Sequence, residues 1–204
     1  MYQIVNSIFL SKVDNATQLQ AAFGLGQMFI NLFMQSIAIS FTINVSTFIG
    51  QAHGQKQPEL CAIYLRRQQI ISALFWIPWA ILLCFSQVFS TYVFGMDEAV
   101  TELAYIYILA ALPGFFFLTQ YTILSSYCNA QKEMVIPIYA TVGGFFIHLA
   151  LLYILVDGLN MGLLGVGIST SVHFLSRFVI ADFFIRRHER FAEHYKKSLW
   201  SDAR

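Results

Sequence analysis

Five stretches of this chain contain no Lys, Arg, Asp or Glu: 15–55, 68–96, 103–131, 134–156 and 158–176. The shortest has 19 residues, close to the ~20 mostly apolar residues an α-helix needs to cross a hydrocarbon layer. A single run of this kind could be a buried core helix. Five in succession, with the charges confined to the gaps, predict an all-α polytopic membrane bundle, because an uninterrupted apolar run of this length satisfies its own backbone in lipid only as a helix. Composition agrees. The 204 residues are 57% hydrophobic and 11% charged, whereas soluble domains carry ~25% charge and need it to cover their surface.

The gaps place five full transmembrane helices near 18–50, 59–93, 98–129, 134–156 and 161–186, with residues 1–12 as the last turns of a sixth. The links between them are short, so neighbouring helices run antiparallel. The bundle is expected over 1–186, followed by a basic tail over 187–204. Pro78 and Pro113 fall inside helices, where each removes a backbone donor and favours a kink. Glycines and serines four apart in "GLNMGLLGVGISTS" suit close helix packing.

Basic residues assign an orientation. Lys56, Arg66, Arg67, Lys132, Arg186, Arg187, Arg190, Lys196, Lys197 and Arg204 collect at one end of the predicted bundle. Only Lys12 stands at the other, with Asp14, Asp97, Glu98 and Asp157. The basic end, tail included, is expected to be cytoplasmic and to touch membrane lipids. Which membrane, plasma or organelle, is left open. The net charge of +1 offers no electrostatic case for nucleic acid.

Polar residues inside a membrane must face protein or water. At 100° per residue, Gln20, Gly24, Gln27, Asn31, Gln35, Thr42, Ser46 and His53 fall within an arc of about 100° on the first full helix. Such a stripe is either an interhelical hydrogen-bond seam or the lining of an aqueous cavity. Its amides both donate and accept, which suits neutral or cationic solutes. Gln120, just past Pro113, is a further cavity candidate. His148, mid-helix in "GGFFIHLALLY", is either a packed residue or a proton carrier. Arg177, in "VHFLSRFVIADFF", either snorkels to the interface or serves a cavity. Asp182 can pair with Arg186 one turn on. No hydrolase, P-loop or metalloprotease motif is present, so the chain is not expected to be an enzyme. Cys61, Cys84 and Cys128 lack ligand spacing, and nothing calls for a metal or cofactor.

Three stretches resemble the multidrug and toxic compound extrusion (MATE) transporters. The first is "TFIGQAHGQKQPELCAIYLRRQQI", with Gly50, Gln51, Ala52 and Gly54 ahead of Tyr64, Leu65 and Arg67. The second is "YIYILAALPGFFFLTQYTILSSYCNAQKEMVIP", with Pro113 mid-helix, Gln131 in the turn and Pro137 opening the next helix. The third is "FFIHLALLYILVDGLNMGLLGVGISTSV". The match is to the family's amino-terminal lobe. It implies two six-helix lobes about a pseudo-two-fold axis, a second lobe as partner, and a central cavity. It also implies export of small organic, often cationic, xenobiotics by antiport with protons or sodium ions. Gln27, Asn31, Gln35, Thr42, Gln120, His148 and Arg177 would then line the substrate pathway. Leu152 stands where the family often has an asparagine, four residues after His148. A flippase for lipid-linked pyrophosphates, from the same superfamily, is one alternative, although it would want more basic residues than Arg177. A truncated, non-transporting copy is another.

Overall fold

The structure is a computed structural model that describes residues 2–13, 15–189 and 191. Eight α-helices follow one another: α1 (Tyr2–Leu10), α2 (Ala16–Ile30), α3 (Ser36–Gly54), α4 (Pro58–Cys84), α5 (Ser86–Tyr92), α6 (Glu98–Ala130), α7 (Val135–Leu152) and α8 (Gly162–Arg187). A π-helical turn at Asn31–Gln35 joins α2 to α3, and another at Tyr153–Gly158 extends α7. Five continuous rods result, each long and apolar enough to cross a membrane: Ala16–Gly54, Pro58–Cys84, Glu98–Ala130, Val135–Gly158 and Gly162–Arg187. The expected bundle is therefore present, with shifted boundaries. The first rod carries its helix through the Gly-Gln-Ala-x-Gly stretch to Gly54, which leaves only 55–57 as the turn. The second rod ends at Cys84, and α5 follows as a separate short helix after Phe85. Neither proline interrupts its helix: α4 runs through Pro78 and α6 through Pro113.

The interior is mainly apolar, as in a soluble protein, but the outer surface is apolar as well, and buried polar side chains are distributed through the core. Large apolar side chains face outward, among them Leu74, Phe75, Ile81, Phe146 and Tyr153. Polar ones lie inside: Asn6, Gln27, Gln69, Gln120, His148, Ser169, Thr170 and His173 are all buried. A bundle surrounded by lipid needs this arrangement, since hydrocarbon accepts Leu and Phe at no cost but offers no hydrogen bonds. α6 is the central post, touching α2, α3, α4, α5, α7 and α8, and its longest seam is with α8.

That seam is made close by small residues. The Gly114 amide donates to Ser171 Oγ at 3.1 Å, and Ser171 Oγ donates to the Ala110 carbonyl at 2.6 Å. A Cβ on Gly114 would collide with the Ser171 backbone, and one on Gly167 would come within 3.1 Å of the Tyr107 carbonyl. At the basic end the turns after α3 and α6 share one device. The amides of Lys56 and Gln57 donate to His53 and Ala52, and those of Lys132 and Glu133 to Asn129 and Cys128. Lys56 and Lys132 hold the left-handed position, at φ 58° and 62°, where glycine is usual. Asp182 and Arg186 form the expected pair at 2.6 Å. Asp14, Arg190 and the tail's Lys196, Lys197 and Arg204 lie outside the described residues.

Candidate functional site

Two cavities and one packed polar cluster hold most of the candidate residues, Gln35 and Gln120 lying outside them. The cluster sits where α1, α7 and α8 meet. His148 is fully buried on α7. Its Nδ1 lies 3.1 Å from the Ser169 carbonyl, and its Nε2 lies 2.9 Å from Asn6 Oδ1. Asn6 Nδ2 donates to Thr170 Oγ1 at 3.3 Å, and the His173 ring packs 4.9 Å from that of His148. His173 Nδ1 lies 2.9 Å from the Gly144 carbonyl. In this arrangement both ring nitrogens of His148 face oxygen acceptors, which suits an imidazolium. Turning the Asn6 amide over would present its NH2 to Nε2 and suit the neutral ring. The turned amide would set its oxygen against Thr170 Oγ1, whose hydroxyl donates to the Val166 carbonyl at 2.8 Å, so the neutral ring requires that hydroxyl to turn together with the amide.

Beside this cluster, Tyr107 Oη donates to Gln27 Oε1 at 3.0 Å. Gln27 Nε2 donates to Asn31 Oδ1 at 2.9 Å and to Tyr2 Oη at 3.3 Å. Gln27, Asn31 and Gly24 line a shallow, open groove of about 610 Å³, together with Gln3. A second cavity, of about 700 Å³, lies toward the basic end between α6, α7 and α8 and reaches Thr42 on α3. Arg177 enters it from α8. The guanidinium lies 4.1 Å from the centre of the Tyr121 ring, and Nη2 donates to Thr141 Oγ1 at 3.2 Å.

The polar stripe is thus divided rather than continuous. Gln27 and Asn31 share one cavity, Thr42 lines the other, and Gln35 lies within the π turn and lines neither. The π turn is the cause. An i→i+5 turn inserts one residue into the helical phase, so the face beyond it is rotated by about 100°. Gln20, Gly24, Asn31 and Ser46 are exposed, while Gln27 is buried. Gln120 is also buried. It donates to the Gln69 carbonyl at 3.3 Å and to Ser72 Oγ at 3.1 Å, tying α6 to α4. His148 lines neither cavity. Of the motif residues, Gln131 is buried and donates to the Tyr127 carbonyl at 3.3 Å, and the Pro137 carbonyl accepts from Tyr121 Oη at 3.1 Å. Tyr2, Asn6, Tyr107, Thr170 and His173 were not singled out by sequence. For His173 a signal existed, since it stands one helical turn before Arg177.

Known proteins give the same architecture. The MatE family model matches residues 1–154. The chain belongs to the MatE family. Protein DETOXIFICATION 37 of Arabidopsis thaliana is 28% identical over 160 residues, which is 78% of this chain and 31% of that protein. Multidrug and toxin extrusion protein 2 of Oryctolagus cuniculus is 27% identical over 184 residues, 88% of this chain and 29% of that one. The crystal structure of the eukaryotic MATE transporter AtDTX14 superposes with a TM-score of 0.87 at 17% identity, over 95% of this chain and 43% of that one. The chain spans about a third of the length of these curated relatives, and its fold is that of part of a MatE protein. With five spanning rods, it is an integral membrane protein.

Proposed function

We propose that this lobe works within a two-lobe exporter that moves small organic compounds out of the cytoplasm by antiport, with protons as the coupling ion and the basic end cytoplasmic. The observation that carries the coupling is His148. It is buried between Ser169 and Asn6, where both ring nitrogens face oxygen atoms that can accept from an imidazolium, and the neutral ring requires the Asn6 amide and the Thr170 hydroxyl to turn together. Protonation there changes which face of Asn6 meets α7. It thereby biases contacts among α1, α7 and α8, the kind of small switch that could favour one orientation of a rocking lobe. Gln27 and Asn31, in the 610 Å³ groove, supply neutral amides to the solute. The names of the relatives, multidrug and toxin extrusion among them, support a broad organic substrate class. The lipid-pyrophosphate reading is not favoured, because among the described residues the second cavity contains one arginine and no other basic side chain.

The test uses everted membrane vesicles from cells expressing the whole reading frame that contains this lobe. An imposed pH gradient should drive uptake of a fluorescent organic cation such as ethidium. His148→Leu should abolish the pH-driven component, and Gln27→Leu should lower uptake at equal membrane abundance. Uptake that follows a sodium gradient and ignores pH would overturn the proton assignment. Uptake indifferent to both gradients would overturn antiport.

A further inference from the structure

Arg177 lies about three turns before the end of α8, at a depth where a charge needs a partner. Among the described residues no carboxylate pairs with it. Its Nε is buried without a hydrogen-bond partner. The side chain is nonetheless held in place. Gly144 makes room for its stem, since a Cβ there would stand 2.5 Å from Arg177 Cγ. The Tyr121 ring supports one face of the guanidinium and Thr141 takes one N–H. Tyr121 is itself fixed, with its hydroxyl 2.9 Å from Thr141 Oγ1 and 3.1 Å from the Pro137 carbonyl.

The space in front of this guanidinium is the 700 Å³ cavity. Its wall offers a hydroxyl from Ser125 and an amide from Asn129, and apolar surface from Met134, Ile138 and Val142, while the Thr122 hydroxyl donates to the Thr119 carbonyl. Among the described residues no acidic side chain lines it. A positioned cation, neutral donors and an apolar wall together are complementary to an anion on an apolar body. Guanidinium matches the paired oxygens of carboxylate or phosphate with two parallel N–H groups.

We propose that this groove between α6, α7 and α8 is a subsite for the carboxylate or phosphate group of an amphipathic anion, held by Arg177. Insofar as it names a class of cargo, it rests on the export reading above. As a binding site it stands apart from it. The anion can come from a solute acid or from a lipid headgroup, and the two share this chemistry.

The experiment places the full chain in phosphatidylcholine nanodiscs and titrates 2-naphthoate, with 2-naphthamide as the uncharged counterpart. Naphthoate should bind saturably and about tenfold or more tighter than the amide, the scale of one charge-assisted hydrogen bond. Arg177→Gln should remove that preference. Equal binding of acid and amide by the unaltered chain overturns the proposal, and that arm does not depend on the variant folding. Acid binding that persists in Arg177→Gln overturns it too. Adding phosphatidylglycerol assigns the source. Competition that requires Arg177 supports the subsite with a headgroup as ligand, and naphthoate binding that ignores the lipid supports a solute. A chain that binds naphthoate while the vesicle assay shows no export leaves the subsite standing and removes only the export reading.

Discussion

His173 and Arg177 are one turn apart on α8, yet they belong to opposite kinds of polar site. Around His173 and His148, each side chain has found a partner inside the protein: the Gly144 and Ser169 carbonyls, Asn6, and Thr170 beyond it. Around Arg177 one hydroxyl and one aromatic face are engaged, Nε is buried without a partner, and the side chain lines an open cavity. In lipid a polar group must be satisfied somewhere. A closed cluster is satisfied by other helices and so fixes how they pack. An open one is satisfied by water or ligand and so adds little to packing. Removing a member of the first should damage stability, and removing the second should damage binding.

The largest expected effect tests the closed side. His148→Leu keeps the volume roughly but strands Asn6 Oδ1 in a buried place. Unfolding by SDS titration in mixed micelles should show a loss of about 1–3 kcal/mol, the cost of an orphaned buried group. A loss near zero would mean the cluster is wetter than its burial implies, and the contrast with Arg177 would fail.

Tyr107→Phe is a gentler probe. The Tyr107 hydroxyl is buried, but its acceptor Gln27 also borders a cavity, where water can replace the lost donor. The same titration should give about 0.5–1.5 kcal/mol, the net value of one hydrogen bond. It would place Gln27 between the two extremes. Arg177→Met then tests the open side. It forfeits one hydrogen bond and a cation–π contact, each about 1 kcal/mol. It also relieves a partly buried charge with an unpaired Nε. These oppose each other, so unfolding should shift by less than about 1 kcal/mol in either direction. A loss as large as that from His148→Leu would show that Arg177 is a structural residue and merge the two sites into one kind.

Much of this was legible in the sequence. The five charge-free runs became five spanning rods because a long, uninterrupted apolar run satisfies its own backbone in lipid only as a helix, and only their ends shifted. Arg177 and His148 stood out because intramembrane polar residues are rare. What pattern could not supply was phase. The polar stripe assumes a straight helix of constant pitch, and the π turn at Asn31–Gln35 leaves no compositional trace in "NLFMQ". The stripe therefore divided between two cavities. Asn6 and Tyr107 were missed for a different reason. Their importance comes from contacts with residues 142 and 80 positions away, and no local periodicity reports such distances.

The smallest effect lies in the turns at the basic end, where the same question of what a charge is for takes another form. Lys56 and Lys132 occupy left-handed positions that strain any side chain bearing a Cβ by about 1 kcal/mol. Glycine there would relieve the strain, although it frees the unfolded chain as well. Lys132→Gly should therefore stabilise the bundle by at most about 1 kcal/mol in the SDS titration. Its ammonium is exposed at the basic end, so the retained lysine serves orientation better than stability. The double variant Lys56→Gly, Lys132→Gly sharpens the point. Protease accessibility of sealed membranes should show a larger misoriented fraction even though each molecule is no less stable. Correct orientation together with destabilisation would mean that these lysines act through contacts in the turn rather than through their charge.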